Sequence, residues 1–121
     1  MSLLIKKILQ KIKEFENKTK VETLTISNLL QNNWKTNGQN SIFKTNNIVY
    51  INLALRYGTD KIAMILPEGY RPSASLMQQL VGANGNIGYV LIANNGQVSF
   101  ERITTDGGSE TFMTSFTFPV N

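Results

Sequence analysis

The chain begins with an apolar stripe at helical spacing. Apolar positions recur at intervals of three and four over residues 3–19, Leu4 and Leu9 widen the stripe, and lysines occupy the opposite face. This period predicts an amphipathic helix whose stripe lies at the a and d positions of a heptad repeat. The residues at those positions are Ile5, Ile8, Ile12, Phe15 and Thr19. We therefore expect residues 1–20 to form an N-terminal stem helix.

Three placements are open for this helix. It could be one strand of a parallel coiled-coil stem, fold onto the rest of the chain, or lie on a membrane or nucleic-acid surface through its lysines. Ile at both a and d favours three or four strands over two. About two and a half heptads are too short to hold together alone. A stem would therefore require the rest of the chain to oligomerise as well.

From residue 21 onward the pattern changes to the alternation typical of β-strands. Asn-Asn at 46–47 and Asn-Asn-Gly at 94–96 separate alternating runs as tight hairpin turns do. Residues 48–55 are rich in β-branched and aromatic side chains and are the best candidate for a central strand. The predicted strands are 21–26, 41–45, 48–57, 61–66, 75–81, 87–93, 97–103 and 111–118. About eight short strands predict an all-β fold for residues 21–121, an antiparallel, jelly-roll-like β-sandwich.

Two prolines set five residues apart stiffen the segment 66–73. Each proline fixes its own φ and restricts the residue before it, and a glycine between them can adopt a positive φ at little cost. We expect a rigid structural corner that joins two strands which are not a simple hairpin pair. The residues that form it are Pro67, Gly69, Tyr70, Arg71 and Pro72.

Composition removes most enzyme classes. The chain has no histidine and no cysteine, so it lacks the commonest general base and metal ligand, as well as thiolate sites and His-dependent triads. No carboxylate spacing supports a catalytic pair, and no calcium-loop or phosphate-loop pattern is present, although Asp60 and Asp106 have Asn neighbours. We therefore expect no enzymatic activity, no cofactor and no metal.

The net charge of +4 resides in the predicted helix. Residues 1–20 carry six lysines and two glutamates, whereas residues 21–121 carry six cations and six anions. The neutral remainder offers no basic stripe for phosphate, so we expect no nucleic-acid partner. No apolar run approaches the length of a membrane span, and the lysines within the apolar N-terminal stretch argue against a signal peptide.

An Asn-rich segment around the single Trp34 is the first candidate for binding chemistry. The chain holds fourteen Asn and eleven Thr, a composition that suits a neutral polyhydroxy ligand. A pyranose ring could stack on Trp34 while neighbouring amides bond its hydroxyls. Alternatively, Trp34 is a core residue whose N–H reaches a backbone carbonyl, and the Asn and Thr residues serve turns and strands.

The chain as a whole resembles a known family. The segments that carry the resemblance are the stem-like helix, Asn-Asn-Trp at 32–34, Lys-Thr-Asn-Asn-Ile-Val-Tyr-Ile at 44–51, Leu-Pro-Glu-Gly-Tyr-Arg-Pro-Ser at 66–73, residues 87–98, and Phe-Thr-Phe-Pro at 116–119. In this order they resemble C-terminal receptor-binding domains of tailed-bacteriophage tail fibres and baseplate proteins, as found in phages and prophages of Gram-positive bacteria. The Pro-x-Gly-Tyr-Arg-Pro corner is the most specific part of the resemblance.

The resemblance implies a homotrimeric β-sandwich on a three-stranded stem. It implies a virion tail protein that binds host cell-wall carbohydrate without chemistry and contacts other phage tail proteins. The resemblance does not assign a binding role to any individual residue. Two other functions remain open, a structural tail or baseplate connector that binds no glycan and a polysaccharide depolymerase.

Strand direction gives a separate prediction of the binding face. If strands run up and down from the stem, loops alternate between a stem end and a far end, and the far end faces the host cell. A Greek-key crossover would scramble this assignment. The predicted ligand-binding residues at the far end are Trp34, Asn32, Asn37, Tyr57, Asp60, Asn84, Asn86 and Asp106.

Overall fold

The structure, a computed structural model, describes residues 2–102 and 110–120, apart from the side chains of residues 15–19. Within those ranges one α-helix precedes nine strands in two antiparallel sheets, and a short 3-10 helix, Ile26–Asn28, lies between the first two strands. This confirms the predicted helix and the mostly β body. The elements are α1 Leu3–Thr19, β1 Glu22–Leu24, β2 Lys35–Thr36, β3 Ser41–Thr45, β4 Ile48–Arg56, β5 Ile62–Ile65, β6 Leu76–Val81, β7 Ile87–Ile92, β8 Gln97–Arg102 and β9 Thr111–Pro119.

The first sheet is organised around β4, in agreement with the prediction of a central strand. Strands β3 and β2 pair with the two ends of one edge of β4, and β9 pairs along the whole opposite edge. Strand β1 extends the sheet beyond β3. Between β3 and β2 the Asn40 side chain replaces a strand, because its Oδ1 accepts from the Ala54 N–H at 2.8 Å and its Nδ2 donates to the Ala54 carbonyl at 3.1 Å.

The second sheet has the strand order β5-β8-β7-β6 and forms a Greek key. Strands β6, β7 and β8 follow one another as hairpins, and β5 returns to lie beside β8. Strands β5 and β6 are thus at opposite edges of the sheet. The proline corner between them is the long connection of the Greek key, which confirms that it does not close a simple hairpin.

The jelly-roll-like arrangement is wrong for this chain. A jelly roll contains two Greek keys, whereas the described strands form one, confined to the second sheet. Among the described strands, the chain passes from the first sheet to the second between β4 and β5 and returns between β8 and β9. In addition, Leu30, which lies between β1 and β2, forms an isolated bridge with Met64 of β5. Because every strand pairing is antiparallel, the Greek key does not disturb the alternation of loops between two ends of the sandwich.

Hairpin turns form where the Asn and Gly signals predict them. Asn46 and Asn47 have φ values of 53° and 61°, the left-handed pair that a two-residue type I′ turn requires between β3 and β4. Gly96, with a φ of 92°, closes the turn between β7 and β8. An added Cβ there would lie 2.4 Å from the Leu66 carbonyl, so only glycine fits.

The core lies between the two sheets. Alternate side chains of β7 and β8 are buried, and Phe112 and Phe118 of β9 face them from the other sheet. For these strands the burial agrees with the alternation of apolar and polar side chains in the sequence. The largest fully buried apolar side chains are Phe100, Phe112, Ile42, Leu53, Leu55, Met64, Leu66, Ile92, Val49, Val90 and Val98.

Helix α1 leaves its apolar stripe exposed. Ser2 caps its N-terminus, with the side chain accepting from the Ile5 N–H at 3.2 Å. Ile5, Ile8 and Ile12 are 49–50% exposed, so these residues do not pack against the sandwich. This contradicts the alternative in which the helix folds onto the body. The Phe15 side chain lies outside the described part of the chain.

The proline corner is fixed by contacts at the end of the sandwich where β1 begins. Gly69 has a φ of 87°, as predicted, and Arg71 Nε donates to the Leu66 carbonyl at 2.8 Å. Lys44 donates from Nζ to the Gly69 carbonyl at 3.0 Å and lies 4.5 Å from the centroid of the buried Tyr70 ring. These contacts show how the corner is braced against the first sheet.

Tyr70 makes the stability of this corner depend on pH. Burial, together with the neighbouring Glu22 carboxylate 3.4 Å from the hydroxyl, raises the pKa of Tyr70 above its ordinary value. The stabilising contribution is therefore complete below about pH 10 and is lost as pH rises through the folded pKa. In urea unfolding, we expect Tyr70→Phe to change the free energy of unfolding by at most about 1 kcal/mol at pH 7. Between pH 9 and 11, the free energy of unfolding should fall less for this variant than for wild type. Parallel losses in the two proteins would contradict this assignment.

Candidate functional site

Hydrogen bonds divide the loops between two ends of the sandwich. At the end where β1 leaves the helix, the Val120 N–H donates to the Asn47 carbonyl, and the Leu66 N–H donates to the Gly96 carbonyl, each at 2.8 Å. We call this the stem end. The opposite end lies roughly 26 Å away along β4, at the usual rise per strand residue. We call it the far end, and it contains segments 32–37, 57–60, 82–86 and 110–111.

The far-end segments contact one another directly. The Thr59 N–H donates to the Asn32 carbonyl at 2.8 Å, and Asn37 Nδ2 donates to the Thr111 hydroxyl at 2.5 Å. The Ala83 N–H donates to the Thr111 carbonyl at 3.0 Å. The structure therefore brings together the predicted far-end residues that it describes, whereas Asp106 lies outside the described residues.

Trp34 is a core residue, which corrects its interpretation as a sugar platform. Its side chain is 3% exposed and packs against the rings of Tyr57 and Phe100, with centroids 4.5 and 4.8 Å away. Its Nε1 donates to the Asp60 carbonyl at 2.7 Å. A pyranose cannot reach a ring face that is covered in this way. The alternative prediction, that Trp34 is a core residue whose N–H bonds a backbone carbonyl, is confirmed.

Asn86 is the second predicted ligand residue whose side chain is not available. It is 3% exposed, and its Nδ2 donates to Glu110 Oε1 at 3.0 Å. The buried Glu110 also accepts from the Asn84 N–H at 2.7 Å and the Asn86 N–H at 3.3 Å. Glu110 thus fixes loop 82–86 against the start of β9. A Cβ at Gly82 would lie 2.3 Å from the Glu110 carboxyl carbon, so the close approach requires glycine.

Tyr57 lies between the core and the surface at this end. It is partly buried, its hydroxyl donates to the Phe100 carbonyl at 3.3 Å, and the Arg102 guanidinium lies 4.2 Å from its ring centroid. Burial raises the pKa of Tyr57, and the Arg102 charge opposes that rise. Tyr57 is therefore a neutral phenol near pH 7, with a guanidinium on its ring.

The side chains of Asn32, Asn37, Asp60 and Asn84 are exposed at the far end. Among these, Asn32, Asn37 and Asp60 form hydrogen bonds that hold the loops together. Asn32 Nδ2 donates to the Ile62 carbonyl at 2.9 Å, Asn37 bonds Thr111, and Asp60 Oδ1 accepts from the Ile62 N–H at 3.1 Å. These bonds keep the far end preorganised.

A groove at the far end was not found by sequence reasoning. It has a volume of about 400 Å³. Its lining, among the residues that the structure describes, comprises Asn33, Lys35, Arg56, Tyr57, Gly58 and Thr59. Only Tyr57 among them belongs to the predicted set. Strand β2 is two residues long, so no periodicity could have revealed that Lys35 lies opposite Arg56. No grouping of three or more possible metal ligands occurs among the residues described.

Comparison with known proteins gives an informative structural similarity. No protein-family model matches the chain, and no curated protein matches it. Among solved structures, the receptor binding protein (gp15) of Listeria phage PSA superposes with a TM-score of 0.67 at 14% sequence identity. The match covers 97% of this chain and 76% of that chain. This chain shares the fold of that phage receptor-binding protein.

The shared fold includes both the helix and the sandwich, since nearly the whole chain is matched. At this identity the similarity shows the fold and assigns no residue role. In the described ranges, no helix has the length and apolar character needed to cross a membrane.

Proposed function

We propose that this chain is a host-attachment domain of a phage tail, which binds a bacterial surface glycan at its far end without catalysing a reaction. The supporting observation is the near full-length structural similarity to a phage receptor-binding protein. The predicted far-end loops that the structure describes form one continuous surface, on the side of the sandwich opposite the helix connection. Such a surface would face outward if the helix pointed toward the virion.

We further propose that the protein acts as a homotrimer with α1 as its stem. The exposed Ile5, Ile8 and Ile12 supply an apolar seam with no partner in the described chain, and Ile at both a and d favours more than two strands. Three copies would multiply weak contacts with a repetitive glycan, because linked sites gain avidity on the order of 10²–10⁴. Weak single-site binding would then suffice for attachment.

Oligomeric state and cell attachment test this function together. We expect light scattering at micromolar concentration to give three times the 13.5 kDa chain mass. The double variant Ile8→Asp/Ile12→Asp should be monomeric, because two buried charges would break the seam. Its adsorption to Gram-positive cells, measured with fluorescently labelled protein, should fall on the order of 10²-fold or more.

The matched control is Lys6→Asp/Lys13→Asp, which introduces the same two side chains at positions outside the seam. It should remain trimeric and adsorb as wild type does. A monomeric wild type would count heavily against the trimer.

A structural connector is the competing function, since the exposed seam of α1 could also dock on another virion protein. Capture of a tail protein, together with no adsorption to any cell wall, would favour it. Release of reducing ends from host polysaccharide would instead indicate a depolymerase.

A further inference from the structure

We infer that the outward face of the second sheet packs against a second copy of this chain, so that the sandwich as well as the helix forms the subunit interface. The inference rests on the proposed homotrimer and adds the sandwich surface through which its copies meet. We call this surface the apolar face. Its central side chains are Ile65, Met77, Val81, Ile87, Tyr89 and Leu91.

The strand register places these apolar side chains next to one another. Along β6 and β7, alternate side chains point away from the core, so that Met77 lies directly opposite Leu91 and Val81 directly opposite Ile87. Met77 and Val81 are 68% and 62% exposed. Ile65, on the other edge strand of the same sheet, is also exposed. The face is therefore apolar along the whole length of the sheet.

The outward face of the first sheet has a different composition. Of the five large apolar side chains that are exposed on the described strands, four lie on the apolar face and the fifth is Met113 of β9. One row across the first sheet consists of Ser41, Asn52 and Ser115, all of them exposed. Single exposed apolar residues are ordinary, whereas a cluster marks an interaction surface. The two faces of the sandwich are thus not equivalent.

Charge is also depleted on the apolar face. Residues 72–100, which include β6 and β7, contain no Asp, Glu, Lys or Arg. At the described outward positions of β6, β7 and β8, the one charged side chain is Glu101, which accepts from the Tyr89 hydroxyl at 2.7 Å. Interface cores are depleted of charged residues and enriched in Met and aromatic residues. Because the face is nearly neutral, two copies can meet there without like-charge repulsion.

Edge strand β6 lacks the usual protection of an exposed sheet edge. Natural edges carry charges, prolines or bulges, or are covered by another segment. The opposite edge, β5, has a register shift between Ile62 and Met64, and Leu30 forms a bridge to Met64. Strand β6 has none of these features, and its register with β7 is unbroken over the whole strand. A regular, uncharged edge of this kind is expected where another chain covers it.

Helix α1 favours a second copy as the occupant of this face. Its apolar seam covers about two and a half heptads, too few to associate without further contacts. Residues 1–20 carry six lysines and two glutamates, so parallel stems also repel one another. Association of copies therefore requires a contribution from the sandwich. The apolar face spans roughly 14 by 17 Å, which is less than the area of about 800 Å² per partner in a standard interface. The face and the seam are thus each too small alone and act together.

Oxidation of two methionines tests the face in the wild-type full-length chain. Met77 and Met113 are 68% and 71% exposed in the single chain, so Met113 serves as an internal reference. Dilute hydrogen peroxide converts accessible Met to its sulfoxide, and mass spectrometry of peptides follows each residue. In the assembled protein, Met77 should oxidise more slowly than Met113 by a factor on the order of five or more. Equal rates in the assembled protein would overturn the inference.

The helix variant Ile8→Asp/Ile12→Asp provides the unassembled reference for the same measurement. When the copies separate, Met77 should oxidise as fast as Met113. Slower oxidation of Met77 that persists in the monomer would reflect its own surroundings and would overturn the inference. Protection of Met77 that appears only after another tail protein is added would overturn a second copy as the occupant.

Charges placed on the face test its contribution to assembly. Met77→Lys/Val81→Lys should be monomeric by light scattering at micromolar concentration and retain the far-ultraviolet circular dichroism spectrum of wild type. The matched control, Met113→Lys/Thr117→Lys, introduces the same two side chains at the same spacing on an edge strand of the first sheet, and it should remain assembled. The same oligomeric state in both double variants would overturn the inference. If Met77→Lys/Val81→Lys does not fold, the oxidation rates of wild type decide.

Cell adsorption separates failure of the face from failure of the proposed function. A wild type that adsorbs to Gram-positive cells while Met77 and Met113 oxidise equally would overturn the face and leave attachment intact. A wild type that assembles with Met77 protected but adsorbs to no strain would overturn attachment and support the face.

Discussion

Replacing Trp34 with alanine is expected to lower the free energy of unfolding by about 3–5 kcal/mol, the usual range for removing a buried aromatic side chain. The side chain is 3% exposed and contacts the rings of Tyr57 and Phe100. Its loss would leave a cavity where the two sheets meet at the far end. It would also leave the Asp60 carbonyl without the Nε1 donor that now lies 2.7 Å away.

Urea unfolding followed by far-ultraviolet circular dichroism is the appropriate measurement, because Trp34 is the single Trp and its fluorescence is lost in the variant. Trp34→Phe is the control, since it keeps an aromatic ring and removes only part of the volume and the N–H donor. It should destabilise by about 1–3 kcal/mol. A stable Trp34→Ala protein that no longer binds cells would restore the platform interpretation.

Replacing Glu110 with alanine is expected to have the second largest effect, a loss of about 3 kcal/mol in unfolding free energy, because several buried donors would lose their acceptor. The carboxylate is 2% exposed and accepts from the Asn84 and Asn86 N–H groups and from Asn86 Nδ2. A buried donor left without its acceptor costs about 1–3 kcal/mol, and water entering the vacated space would recover part of the total. Loop 82–86 would lose its attachment to β9.

Hydrogen exchange tests this role residue by residue. The Asn84 and Asn86 amides should lose protection in Glu110→Ala well before the core strands do. Glu101→Gln provides the comparison, because Glu101 is an exposed carboxylate whose described bond is to the Tyr89 hydroxyl, and it should cost at most about 1 kcal/mol. Unchanged protection at residues 84 and 86 in Glu110→Ala would contradict the proposed fixation of the loop.

The two largest effects fall on residues that sequence reasoning interpreted differently. Trp34 stands in an Asn-rich polar segment, which suggested a surface role, yet Asn32 and Asn33 adopt φ values of 54° and 62° and turn the chain so that the ring points inward. In the sequence, Glu110 is one of six anions among residues 21–121, and nothing distinguishes it from the others. The hydrogen-bond donors to Glu110 come from loop 82–86, more than twenty positions earlier. No residue adjacent to Glu110 in the sequence indicates this contact.

The sequence predicted which loops lie together at the far end, but it could not predict how their side chains are arranged. Antiparallel strands alternate direction, so turn signals alone indicated which loops share an end, and the hydrogen bonds agree. The sequence could not show which exposed side chains there are already hydrogen-bonded. Asn32, Asn37 and Asp60 are exposed, and each also forms a hydrogen bond that holds the loops. Lys35 and Arg56 are twenty-one positions apart in the sequence, and only the pairing of β2 with β4 makes them neighbours.

By itself, the sequence determined the helix, most strands, both Asn-containing hairpin turns and the corner at Pro67 and Pro72. Each of these depends on short-range physics, namely side-chain periodicity, the φ preferences of Asn, Gly and Pro, and the distance between neighbouring turns. Tertiary structure decided the Greek key, the burial of Trp34, the buried bonds of Glu110 and the pairing of Lys35 with Arg56. These depend on contacts between distant segments, which form because two particular sheet faces pack together, and no local pattern encodes which distant residues then meet.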